Sequence, residues 1–153
     1  MAYCVVVAST TQSQSNRIAA AFLTALSASA AKANGMNTAL GIAGIVWADR
    51  FDAAASATPD AFAHNGWVVE ALQGAWSAIS GTPVPAEDRA AGIFRGLHLR
   101  LALEAGVRGG RDTDTVAAIA GGLLGAAYGA SAVPATWRRI VHGWPGLRAR
   151  GLL

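Results

Sequence analysis

Four oxygen-bearing side chains, Asp112, Thr113, Asp114 and Thr115, stand together directly before a long apolar run. In an irregular loop, the spacing of the two aspartates can turn both carboxylates toward one point. Carboxylate and hydroxyl oxygens are hard ligands, which suit Mg²⁺, Mn²⁺ or Ca²⁺ and not zinc. The pattern is therefore typical of a divalent-cation site.

The same four residues have a second interpretation as a helix cap. Asp and Thr are among the favoured N-cap residues, so Asp112 or Thr113 can simply begin the helix that follows. A cap needs only one such side chain, whereas this cluster has four. Cation binding and capping both remain open from the pattern alone.

The elements that position this cluster are predicted to be helices. The chain of 153 residues is 53% hydrophobic and 14% charged. It is rich in alanine and poor in β-branched residues, which favours one compact all-α domain. Apolar spacing predicts one helix from Trp67 to Gly81 and another from Glu87 to Gly109, and the cluster follows the second of these.

The apolar run from Val116 to Val133 has two interpretations. It contains no charged residue, and Gly121, Gly125 and Gly129 form a doubled G-x-x-x-G, a signature of helix dimers in lipid. Its Ala and Gly content gives a weak driving force for insertion, so a buried helix with close packing at the glycines is favoured. A small membrane helix is the alternative.

Charge and cysteine content exclude several other classes. The net charge is +3, and the arginines are scattered without a basic run interleaved with aromatics, so nucleic-acid binding is not predicted. Cys4 is the only cysteine, which excludes a disulfide within the chain and fits a cytoplasmic location. The first residues lack a basic n-region, so no signal peptide is predicted.

The segment Gly110-Arg111-Asp112-Thr113-Asp114-Thr115, continued to Gly129 and followed by Val133-Pro134 and Trp137, resembles the C-terminal signature of the ADP-ribosylglycohydrolase family. Segments 65–72 and 142–147 also resemble that family. The resemblance covers residues 46–150. It implies a domain over 46–153 that is part of an ADP-ribosylglycohydrolase-type helical bundle, preceded by a non-matching segment over 1–45.

The resemblance implies an enzyme that hydrolyses the glycosidic bond between ADP-ribose and a modified protein side chain or related acceptor. It implies two Mg²⁺ or Mn²⁺ ions and maps metal ligands onto Asp112, Asp114 and Thr115. A substrate contact maps onto Trp67, which follows the Asn65-Gly66 turn. The expected partner is an ADP-ribosylated protein or an ADP-ribose-containing small molecule, without nucleic acid or membrane.

The sequence departs from the family pattern before Asp112. The Gly-Asp-Ala and Thr-Asp-Asp motifs, which supply the other metal ligands in the family, do not occur there. The chain is therefore expected to contain half of a two-metal site, with weak metal affinity and little hydrolysis. No catalytic residue is assigned. The alternative is a catalytically inactive helical fragment that binds a nucleotide-sugar or a partner weakly.

Overall fold

The computed structural model describes residue 47 and residues 49–148, so the predicted segment 1–45 lies outside the described residues. The helices are α1 (residues 47 and 49–55), α2 (Val68–Gly81), α3 (Leu97–Arg108), α4 (Thr113–Tyr128) and α5 (Ala135–Ile140). Short 3-10 turns occupy Pro59–Ala61 and Ala130–Ala132, and strands β1 (His142–Gly143) and β2 (Leu147–Arg148) form an antiparallel hairpin. The predicted all-α class is confirmed, because the sheet consists of two strands of two residues each.

The core lies between α2, α3 and α4, with Phe51 and Ala54 added from α1. Ala120 and Leu124 of α4 are fully buried, as is Ile79 of α2, and they pack with Phe51, Ala75, Trp76, Leu99, Ala102 and Val116. The buried residues of α4, at 116, 120 and 124, recur every four positions and so line one face of the helix. These contacts fix α4 against its neighbours.

His98 joins the far ends of the core helices. It is fully buried, and its Nε2 lies 3.1 Å from the Ile79 carbonyl oxygen and 3.0 Å from that of Thr82, at the end of α2. Its Nδ1 lies 3.1 Å from the Tyr128 hydroxyl, at the end of α4. Carbonyl oxygens only accept hydrogen bonds, so Nε2 donates to them and the Tyr128 hydroxyl donates to Nδ1 of a neutral ring.

The expected close packing at the α4 glycines is not found among the residues that the structure describes. Among the described residues, no neighbouring atom lies within 4 Å of the place where a Cβ on Gly125 or Gly129 would stand. A Cβ on Gly121 would meet Leu103 at 3.7 Å, an ordinary contact. The close approach is instead at Gly106 of α3, where a Cβ would lie 3.3 Å from Val116 Cγ1.

The membrane alternative for this run finds no support in the fold. Helix α4 ends at Tyr128, and Gly129 follows with a φ of 76°. Within the described ranges, each helix falls short of the length and apolarity that a membrane crossing needs.

The helix predicted to begin at Glu87 begins instead at Leu97. Asp88 and Ile93 exchange backbone hydrogen bonds of 2.9 and 2.7 Å, and the Asp88 carboxylate accepts a bond of 3.1 Å from the Ala91 amide. These local bonds offer the backbone an alternative to the helix. Residues 83–96 therefore form an irregular connection, and the predicted acidic start of the helix is wrong.

Candidate metal and substrate site

The loop between α3 and α4 places Asp112 at the start of α4. Gly110 and Arg111 have φ values of 77° and 62°, and a non-glycine residue is uncommon in this left-handed region. The Arg111 guanidinium donates a 3.1 Å hydrogen bond to the Asp60 carbonyl, and the Arg111 carbonyl accepts one of 2.9 Å from Thr113. Contacts on both sides therefore hold the left-handed turn.

Asn65 ties the turn before α2 to this loop. Its side-chain amide donates a 3.0 Å hydrogen bond to the Gly110 carbonyl, and its Oδ1 accepts one of 3.0 Å from the Asp112 amide. Asn65 is only 3% exposed, so these bonds satisfy polar groups that water does not reach. The N-terminal ends of α2 and α4 therefore meet at Asp112, opposite the ends that His98 joins.

Gly66 leaves room for the Asp112 carboxylate. A Cβ on Gly66 would stand 3.3 Å from Asp112 Oδ2, closer than most real Cβ contacts. The turn that introduces Trp67 and the carboxylate of Asp112 are therefore direct neighbours.

The structure brings together Asp112, Asp114 and Thr115, the three predicted metal ligands. The side chain of Asp114 and then that of Thr115 lower the pKa of the Asp112 carboxyl, and the Thr115 amide adds to this against the opposing effect of burial. These neighbours favour the anionic form of Asp112. Two neighbouring carboxylates and a hydroxyl thus share one small, partly exposed region.

The capping interpretation does not account for this arrangement. Asp112 occupies the N-cap position of α4, but its side chain makes no capping hydrogen bond of regular geometry. The Thr115 amide has the smallest of the effects that shift the pKa of Asp112. Asp112 therefore occupies the capping position without a side-chain capping bond.

The oxygen donors fit one side of a hard divalent cation. Such an ion takes six oxygen ligands or more, and water fills the positions that protein leaves open. Between residues 49 and 148, no group of three His, Cys, Asp or Glu side chains is placed to hold a metal ion. The described residues therefore offer two carboxylates and one hydroxyl, and the remaining ligands would come from elsewhere.

Trp67, the predicted substrate contact, stands at the N-cap of α2 and is 53% exposed. The Arg50 guanidinium carbon lies 5.9 Å from the centroid of its ring, a cation–π contact. Arg50 also donates a hydrogen bond of 3.5 Å to Gln73 Oε1. The indole is thus supported by a positioned cation while much of its surface remains accessible to a planar ligand.

The sequence did not reveal the supporting roles of Asn65, Arg50 and Arg111. The Asn65-Gly66 pair signalled a turn, but the groups that Asn65 binds lie 45 and 47 positions later in the chain. A turn signal contains no information on such distant partners. The contact between Arg50 and Trp67 likewise exists only because α1 packs beside α2.

Comparison with known proteins agrees with this helical fold. The sequence model of one protein family, described as ADP-ribosylglycohydrolase, matches residues 1–152. This range includes residues 1–45, and the predicted division after residue 45 stays a prediction. No curated protein and no solved structure matches the chain significantly. Because the family match covers almost the whole chain, the protein belongs to the ADP-ribosylglycohydrolase family.

Proposed function

We propose that Asp112, Asp114 and Thr115 hold a Mg²⁺ or Mn²⁺ ion for hydrolysis of the glycosidic bond between ADP-ribose and its acceptor. Membership of the family supports a glycohydrolase-type function, and the family is generally metal-dependent. The observation that carries the proposal is the position of Asp112 at the start of α4, next to Asp114 and Thr115, where Asn65 holds its backbone and Gly66 leaves room for its carboxylate. In the complete site the metal centre is binuclear, with further ligands beyond these three.

Different residues of the chain have different roles in this chemistry. A bound divalent cation would supply Lewis acidity at the site. The negative charges of Asp112 and Asp114 would favour the positive, oxocarbenium-like character that develops at the anomeric carbon during glycoside cleavage. Asn65 holds the backbone amide of Asp112, and Gly66 leaves room for the carboxylate. Trp67 orients the substrate by stacking against a planar part of it.

The proposed substrate is an ADP-ribosylated protein or an ADP-ribose-containing small molecule. The family acts on ADP-ribosylated substrates, and Trp67 offers its exposed ring next to the Asp112 region. We place the protein in the cytoplasm, because a single cysteine needs no oxidising compartment.

A second candidate function is binding without turnover. The described residues provide only part of a metal coordination shell. A chain with only these ligands would bind metal weakly, hydrolyse little, and act as an inactive helical protein that binds a nucleotide-sugar or a partner weakly. This alternative shares the site but not the reaction.

Thermal unfolding with Mg²⁺, Mn²⁺ and ADP-ribose tests both candidates. We expect the cations to raise the midpoint in the parent chain and in Asp52→Asn, an exposed-carboxylate control, but not in Asp114→Ala. Release of ADP-ribose from an ADP-ribosylated protein that disappears in Asp114→Ala supports the enzyme. Metal or ADP-ribose binding without release supports the second candidate. The absence of any response to all three ligands contradicts both.

A further inference from the structure

An open apolar groove lies between α3, α4 and α5. Its volume is about 400 Å³, and it is lined by Leu103, Glu104, Val107, Arg108, Ala117 and Trp137. Most of these side chains are apolar, and Val107 is 50% exposed. The groove is thus large enough for one bulky apolar side chain of a partner.

The hairpin that follows α5 in the chain adds further exposed apolar side chains. Trp137 lines the groove, and the chain passes from the end of α5 directly into β1. Ile140 and Val141 are exposed, Trp144 is 85% exposed at the turn of the hairpin, and Leu147 is exposed in β2. Large apolar groups gathered on one exposed segment mark an interaction site.

The charge around this surface is strongly positive. Arg138 and Arg139 stand in the last turn of α5 and Arg148 in β2, and no Asp or Glu follows Asp114 in the sequence. At the groove, Glu104 is shared between Arg100 and Arg108, at 3.4 and 3.2 Å. Among the described residues that line the groove or form α5 and the hairpin, Glu104 is the only carboxylate, and the guanidinium groups are those of Arg108, Arg138, Arg139 and Arg148.

This charge decides between the possible occupants. A second copy of the chain would bring two arginine-rich surfaces together, and like charges across an interface are unfavourable. A segment with carboxylates around a large apolar residue would match both the arginines and the groove. Exposed Trp side chains are also among the commonest anchors of protein interfaces.

We propose that the groove and the hairpin form a docking surface for an acidic protein segment, with one bulky apolar side chain in the groove and carboxylates against Arg138, Arg139 and Arg148. Ala117 of the groove follows Asp114 by three residues on α4, so the docked segment would lie about one helical turn from the proposed metal ligands. The surface goes beyond the proposed hydrolysis and does not depend on it.

Fluorescence anisotropy with a labelled peptide, in which glutamates flank a Leu-Phe pair, tests the proposal on the full chain. We expect saturable binding that weakens with salt. The double variant Arg138→Glu/Arg139→Glu and the variant Trp144→Ala should each weaken it about tenfold or more. Arg89→Glu and Phe94→Ala remove an exposed cation and an exposed ring elsewhere and should leave binding unchanged.

Circular dichroism of each variant confirms that the helices are retained. The proposal is overturned if the peptide does not bind, if a lysine counterpart binds equally well, or if the two controls weaken binding as much as the test variants. Preferential binding to phosphatidylserine vesicles would assign the surface to a membrane instead. A dimer in sedimentation that Trp144→Ala dissolves would assign it to a second copy.

Discussion

Asn65 supplies one donor and one acceptor to the loop that presents Asp112, although it lies on a different turn of the chain. Its bonds to Gly110 and Asp112 are both 3.0 Å long. Since the side chain is buried, water cannot replace either bond without a rearrangement of the loop. The position of the proposed metal ligand therefore depends on an amide that never touches the metal.

Asn65→Ala should lower the free energy of unfolding by about 1–3 kcal/mol, because it leaves partly buried backbone groups of the loop without these partners. Urea denaturation followed by circular dichroism measures the change. Ser80→Ala is the matched control, because within the described residues Ser80 bonds to carbonyls of its own helix. A loss in Asn65→Ala no larger than that of the control would contradict the structural role of Asn65.

Gly66→Ala should weaken Mg²⁺ or Mn²⁺ binding while leaving stability nearly unchanged. The added Cβ would stand 3.3 Å from Asp112 Oδ2, and the carboxylate must move away to relieve the contact. Calorimetric titration with each cation measures the affinity. Gly81→Ala, where the new Cβ meets nothing within 4 Å, should keep the parent affinity. Equal affinity in Gly66→Ala would mean that the carboxylate position is unimportant for binding.

Two glycines of neighbouring helices should respond to alanine with opposite signs. Gly106→Ala in α3 places a Cβ 3.3 Å from Val116 Cγ1 within the core, which should destabilise the protein by about 1–3 kcal/mol. Gly122→Ala in α4 meets nothing within 4 Å and should stabilise it by about 1 kcal/mol through helix propensity. The urea concentration at the midpoint of unfolding measures both changes in stability. A loss of stability in Gly122→Ala would indicate a close contact at Gly122.

The helix predicted from Trp67 to Gly81 agrees with α2, which begins at Val68 after the Asn65-Gly66 turn and ends at Gly81. The start of α3 was missed, because the carboxylate of Asp88 served a local turn instead of a helix N-terminus. The hairpin was also missed, since strands of two residues are too short to show an alternating pattern.

The residues of the candidate site also differ in how far apart they lie in the sequence. Asp112, Asp114 and Thr115 are neighbours in sequence, so their spacing alone predicts that they lie close together. Arg50 reaches Trp67 only after α1 and α2 pack together. Local chemistry can be read from a sequence, but a contact between distant segments depends on the whole fold.

The stability of the whole molecule should fall in mild acid because of His98. Burial lowers the pKa of His98 below its ordinary value, so the unfolded chain binds a proton more readily than the folded one. Stability is therefore greatest above about pH 6.5 and decreases as the pH falls through the unfolded value toward the lowered folded value. Urea midpoints measured across this range should show the decline.

The variant His98→Gln distinguishes the effect of His98 on stability from the effects of the other histidines. His98→Gln cannot titrate and should flatten the decline, although it lowers stability at neutral pH. His142→Gln changes an exposed histidine, whose ring bonds to the nearby Ile140 carbonyl, and the decline should remain as in the parent. An unchanged slope in His98→Gln would assign the acid sensitivity to other groups.

The links between 59–66 and 109–112 have a further consequence for digestion by trypsin. Arg111 is bonded to Asp60, and the Asn65 bonds flank it on both sides, so the bond after Arg111 cannot easily adopt the extended form that a protease requires. Arg89 lies in the exposed connection before α3, with Glu87 as its only ion-pair partner in the described structure. Brief digestion should therefore cut after Arg89 before Arg111, as mass spectrometry of the fragments would reveal. In Asn65→Ala, the cut after Arg111 should occur earlier in the digestion.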